Sequence, residues 1–300
     1  MATGPTHEHH VETADGRIYV EVEGAAEAEL VVLAAGGPGV GHDHYHPWFS
    51  RLTPAHRVAY VDYSGCGRSD RLADETDYSV ELFARNLEAV RQHLGAESVS
   101  LIGLSFGGFP AVEYALTHPG RVRRLVLSNA QVTAAGWQRW NIDGVNAELQ
   151  RLFPAEWQEL LRLREAGVRS LDPRYQELIA LVVPELEWVD QWNHPPLNRP
   201  DHGFEPAVYR AVVGDDPEWE VKGTLTGYDR LAEFAGLPPT LVLSGRYDRL
   251  TPPVLAYETV EALAPDRRAL HVFERSAHRP WAEQPDEYFA TVTSFLAAAR

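Results

Sequence analysis

The chain has 300 residues, of which 44% are hydrophobic and 23% charged. That excludes a wholly disordered protein and suits one large α/β domain, or a core carrying one sizeable insertion. A net charge of −16 makes it a poor general binder of phosphate backbones or anionic lipid surfaces, so neither nucleic acid nor a membrane is expected as partner. The single cysteine, Cys66, rules out an internal disulfide framework and any zinc site built on several thiolates.

The first eleven residues are rich in His, Thr and Glu and lack the apolar centre of a signal peptide. His7, His9 and His10 there read as a mobile tail. No apolar run approaches the roughly 18 residues needed to span a bilayer, and a soluble, cytoplasmic protein is expected. From residue 17 to 129, short β-branched runs (18–22, 30–33, 58–61, 99–104 and 122–127) alternate with helical stretches. Between the third and fourth runs, positions 82, 83, 87, 90 and 94 are apolar, which is helical spacing over 79–94. Residues 106–118 predict a second helix, between the fourth and fifth. Apolar strands separated by helices imply a largely parallel sheet covered on both faces.

After Asn129 the texture becomes helical and proline-rich, until strands resume at 240–244 and 269–273, with helices at 253–263 and near 288–299. The expected organisation is an α/β core (1–130 and 236–300) interrupted by a mostly helical insertion, 131–235. Six of the eight tryptophans fall in that insertion: Trp137, Trp140, Trp157, Trp188, Trp192 and Trp219. Such aromatics either line a cleft beneath a lid or hold together a satellite core.

The strongest chemical signal is Gly103-Leu104-Ser105-Phe106-Gly107, placed between a strand and a helix. In that turn a serine is forced into a strained conformation that lifts its hydroxyl clear of the sheet. A hydroxyl is a weak nucleophile without a base, and the base needs an orienting carboxylate. Asp248 follows the strand at 240–244, and His278 follows the strand ending at Phe273. Both fall in loops at carboxyl ends of strands, the rim where open α/β sheets carry their sites. Ser105, Asp248 and His278 are therefore the candidate nucleophile, acid and base. Asp229 and Asp266 follow no clear strand, and His271 lies inside one. Two amides should hold the developing oxyanion: that of Phe106, and one from the loop Ala35-Gly36-Gly37-Pro38-Gly39, where Gly37 is the choice.

These segments resemble the α/β-hydrolase family of proline iminopeptidases. The family's His-Gly-Gly-Pro-Gly appears as Ala35-Gly36-Gly37-Pro38-Gly39, and its Asp-x-x-Gly-x-Gly-x-Ser as Asp62 to Ser69. The segments Gly103 to Gly108 and Gly245-Arg246-Tyr247-Asp248 also match. Ala35 stands where a histidine is usual, and Ser64 where many members carry arginine or leucine. The resemblance covers about residues 15–130 and 238–298 and implies an α/β-hydrolase fold: a mostly parallel central sheet, helices on both faces and an inserted, mostly helical lid. It also implies an aminopeptidase that needs no cofactor and acts on a small molecule or short peptide.

In that family, lid glutamates hold the substrate's free amino group. Glu156, Glu159, Glu185, Glu187 and Glu205 are available here; the candidate contacts are Glu185 and Glu205, with Trp137, Trp140, Trp188 and Trp192 as aromatic wall. Arg249, immediately after the candidate acid, would instead favour a carboxylate or neutral substrate. Esters, lactones and carbon–carbon bonds remain alternative substrates for the same three groups, and a binding protein without turnover is a third reading. His42, His44 and His46 alternate beside Asp43 in a metal-like pattern, but the proposed chemistry requires no metal and none is assigned. Cys66 is expected to be a packed thiol.

Overall fold

The computed structural model describes residues 6–189, 203–215 and 219–298. Eight strands form one sheet: β1 (His7–Thr13), β2 (Gly16–Glu23), β3 (Glu29–Ala34), β4 (His56–Val61), β5 (Val99–Leu104), β6 (Val122–Ser128), β7 (Thr240–Gly245) and β8 (Arg268–Phe273). Their order is β1-β2-β4-β3-β5-β6-β7-β8. β1, β2 and β4 pair antiparallel, and everything from β4 to β8 is parallel. The central strands read as continuous apolar runs because both of their faces are buried; every residue of β5 and β7 is inaccessible.

β1 corrects the expectation of a mobile tail. Only Val11 of this strand is buried, so it carries no alternating apolar signal. It is held by full register with β2, from His7 opposite Val22 to Thr13 opposite Gly16. Its charged and imidazole side chains suit an edge that must not recruit another strand.

The core helices are α1 (Val80–His93) and α2 (Gly108–Thr117), followed later by α9 (Pro253–Ala262), α10 (Pro280–Glu283) and α11 (Pro285–Ala297). Ser79 caps α1, its hydroxyl accepting from the Leu82 amide at 3.2 Å. Between β6 and β7 lie α3 (Ala134–Trp137), α4 (Val145–Leu152), α5 (Pro154–Glu165), α6 (Pro173–Ala180), α7 (Val183–Glu187) and α8 (Pro206–Val212). Among the described residues of this segment there is no strand, only a bridge between Thr133 and Asp229. Four of its helices begin with proline in the first turn, where the missing N–H is no loss and the fixed φ is already helical. Leu149, Leu160, Tyr175 and Leu178 form a small core of their own, with Trp157 and Trp219 packed against it. Trp137, Val208, Val212 and Leu225 instead join the main core. No helix among the described residues is long and apolar enough to cross a membrane.

Candidate active site

Sheet register sets the site. Leu104 lies opposite Ser128, Ser128 opposite Leu243, and Gly245 opposite Phe273. The turns after β5, β6, β7 and β8 therefore open side by side on one rim. The first turn carries Ser105 at φ +53°, a left-handed conformation rarely adopted by side-chain-bearing residues. Gly107 makes the turn possible, since a Cβ there would sit 2.0 Å from the Ala34 carbonyl oxygen. After β6, Asn129 is also left-handed at φ +47°. Its amide donates to Asp248 Oδ2 at 2.6 Å and to the Ala277 carbonyl at 3.1 Å. Gln131 links the first and third turns: its backbone N–H donates to the Ser105 carbonyl (3.0 Å) and its side chain to the Leu250 carbonyl (3.3 Å).

The third and fourth turns meet because Gly245 has no side chain. A Cβ there would lie 1.9 Å from the Ala277 carbonyl oxygen. Asp248 is buried. Its Oδ1 accepts from the amides of Leu250 (2.9 Å) and Thr251 (2.8 Å). Its Oδ2 accepts from Asn129, from the Thr251 hydroxyl and from His278 Nδ1, the last at 2.9 Å. Burial opposes ionisation of this carboxyl, but His278 and the Thr251 donors outweigh it and hold the group below its ordinary value. The same contest runs the other way at His278: burial disfavours the imidazolium, while the Asp248 charge and hydrogen bond prevail and raise it. The pair fixes Nδ1 toward the carboxylate, leaving Nε2 as the nitrogen for proton transfer.

The family described as alpha/beta hydrolase fold matches residues 29–280. The chain belongs to that family. The hydrolase is 29% identical to a proline iminopeptidase of Heyndrickxia coagulans over 271 residues, 89% of this chain and 90% of the relative. It is 25% identical to one of Saccharolobus solfataricus, covering 89% and 84% of the two chains. The crystal structure of proline iminopeptidase from Mycobacterium smegmatis superposes with a TM-score of 0.76, at 24% identity and 97% coverage of each chain.

The hydrolase's glycine loop, residues 35–39, lies against the same turn. A Cβ on Gly36 would be 3.3 Å from Ser105 Cβ, and the Gly36 amide donates to the Tyr45 hydroxyl at 2.7 Å. Gly37, the next residue, has φ +129°. Phe106 is fully buried, its ring edge-on to Trp137 at 5.8 Å between centroids. The other aromatic candidates diverge. Trp188 is half-buried with the Arg279 guanidinium 5.2 Å from its ring centroid, and Trp140 carries Arg139 over its ring. Trp192 and the side chain of Glu185 lie outside the described residues. The Glu205 carboxylate receives Arg71 Nε at 3.0 Å and caps α8 through the Ala207 amide.

Sequence reasoning missed Asn129, Thr251, Glu283 and Arg279, and named Glu187 only as one of several lid glutamates. The His278 amide donates to the Glu187 carbonyl at 3.0 Å, and the Glu187 carboxylate receives Arg279 Nε at 2.9 Å. Glu283 accepts from the amides of Ala277 (2.6 Å) and Val189 (2.8 Å), and burial raises its carboxyl. Arg249 pairs with Glu148 on α4, so its charge is neutralised within the protein. Cys66 is buried and its thiol is pushed up to about 12, as a packed side chain requires. His271 lies on β8 and pairs with Glu287, and Asp229 accepts from the Leu231 amide.

Proposed function

We propose that this hydrolase is a serine enzyme working through an acyl-enzyme, and that it removes an N-terminal residue from a short peptide or amide. The observation that carries the reading is the buried Asp248–His278 pair on the rim that also bears the left-handed Ser105. Ser105 Oγ attacks the scissile carbonyl as its proton passes to His278 Nε2. The amides of Phe106 and Gly37 receive the negative oxygen of the tetrahedral intermediate. Collapse breaks the C–N bond, and His278 returns the proton to the departing amine. Water then attacks the ester, again giving its proton to His278, and Ser105 is released with the free acid. Asp248 holds the imidazole in one tautomer and stabilises its charged form.

Aminopeptidase specificity is supported by the likeness to the proline iminopeptidases. It is also supported by the two carboxylates, Glu187 and Glu283, packed around the His278 loop while Arg249 is spent on Glu148. Residues 131–235 then serve as the cap over the substrate. An ammonium bound to a desolvated carboxylate discriminates strongly, because its removal leaves that charge without a partner. Proline p-nitroanilide should accordingly be cleaved, and N-acetylation of it should lower kcat/KM by roughly three orders of magnitude or more. Equal rates on the free and acetylated amides would exclude amine recognition. Rapid turnover of p-nitrophenyl esters or lactones with no amide cleavage would transfer the same three groups to ester chemistry.

A further inference from the structure

The segment directly after the glycine loop enters a second cluster, on the strand side of the molecule. His42 and His46 are both buried, and both turn their Nε2 atoms toward Glu21 on β2. Taking one donor atom from each of the three residues, all lie within 4.8 Å of one another. His42 Nε2 is 3.5 Å from Glu21 Oε1, and His46 Nε2 is 3.3 Å from Glu21 Oε2. The two contacts run to different oxygens of Glu21, so an ion would lie between the imidazoles and one of these oxygens, at about 2.0–2.1 Å from each donor.

The opposite ring nitrogen of His42 is placed as a metal-bound histidine requires: its Nδ1 is 2.8 Å from Asp62 Oδ1. A carboxylate on Nδ1 fixes the tautomer that leaves Nε2 as the ligand and raises its basicity. His46 Nδ1 lies 3.6 Å from Glu23 Oε1, beyond hydrogen-bond range. The carboxylates are held in turn. Glu23 Oε2 accepts from Ser50 Oγ (2.6 Å) and Tyr60 (3.1 Å), and Glu21 Oε1 accepts from Tyr19 (3.0 Å) and pairs with Arg68.

We propose that Glu21, His42 and His46 form a structural site for a borderline divalent transition-metal ion such as Zn²⁺. Two imidazoles and a carboxylate are the donor set such an ion selects over magnesium or calcium. The ion would clamp the 42–46 segment, and with it the end of the glycine loop, to β2. Burial means that it enters as the chain folds and then stays.

The test uses the full chain, free of any affinity tag, expressed with added zinc and dialysed before metal analysis. About one zinc per chain is expected in the wild type, less than a tenth of that in His46→Gln, and full retention in His9→Gln, which alters a half-buried histidine on β1. Fluorophosphonate labelling of Ser105 reports whether His46→Gln has folded. Should that variant not fold, cobalt uptake during refolding of the wild type decides: the intense visible bands of tetrahedral Co²⁺ support the site, and a pale octahedral spectrum overturns it. Wild-type protein without stoichiometric zinc, or zinc retained equally in folded His46→Gln, overturns it as well.

Discussion

The strand rim and the 131–235 insertion achieve order by different means, and the contrast tells which residues can be exchanged. On the rim, each functional side chain leaves a buried parallel strand whose neighbours fix its height and direction. Asp248 is gripped by two backbone amides, a hydroxyl, an amide side chain and an imidazole. The insertion relies on short helices started by prolines, small clusters such as Leu149–Leu160–Tyr175–Leu178, and surface ion pairs such as Arg174–Glu159. A rim residue is thus held by many partners at once, whereas an insertion residue is held by few. Substitutions should separate the two regions by orders of magnitude in rate.

The largest loss is expected at Ser105. Ser105→Ala should lower kcat by roughly 10⁴- to 10⁶-fold, since the three groups act as a unit. A fluorophosphonate should label wild-type protein at that residue alone. Labelling that persists in the variant, or activity within about tenfold of wild type, would remove the rim from the chemistry.

Asp248→Asn comes next, at on the order of 10³- to 10⁴-fold in kcat with little change in fold. Its sign with pH is equally diagnostic. His278 must be neutral to accept the Ser105 proton, so activity falls as pH drops through the imidazole's pKa. Asp248 raises that pKa, placing the acid limb of the wild type above the usual histidine value of about 6.5. Removing the charge should move the limb of the residual activity to lower pH. Asp229→Asn, which alters only a local turn contact, should leave rate and profile unchanged; if it were instead the damaging change, the acid would be misassigned.

What could be read from the sequence divides along the same line. The runs at 99–104, 122–127 and 240–244, the Ser105 turn and the two later loops all follow local rules of periodicity and turn chemistry, and each appears within a residue or so of its expected place. Asn129 could not be read, because its contact with Asp248 arises only when the ends of β6 and β7 come into register, whereas Thr251 reaches Asp248 locally, from three residues on, in a turn with no apolar period to mark it. The β1 hairpin escaped because one buried valine carries no period. His42 and His46 stand out in the sequence, but Glu21 joins them only through the sheet. The tryptophans split as no composition could reveal: Trp157 stacks on Trp219 at 5.3 Å in the satellite core, while Trp137 packs against the Ser105 turn through Phe106.

The smallest expected effect lies where the two regions touch. Glu187, at the end of α7, is the point of the insertion bonded to the His278 backbone, and its carboxylate pairs with Arg279 beside that histidine. The Glu187 charge raises the imidazole's pKa, and Arg279 lowers it. Glu187→Gln removes the first influence and leaves the second in place, so the acid limb of kcat/KM moves to lower pH. The Glu187 carbonyl that receives the His278 amide is untouched, and kcat on the alkaline side should fall by no more than about tenfold, the scale of a partly exposed ion pair. The double variant Glu187→Gln, Arg279→Gln discards both charges and should return the limb toward its wild-type position. If amine recognition also uses Glu187, KM for a free-amine substrate will rise in both variants while that for an acetylated one stays put. A limb that fails to move in the single variant would mean that the insertion has no electrostatic hold on the rim, and that its contact with His278 is made through the backbone alone.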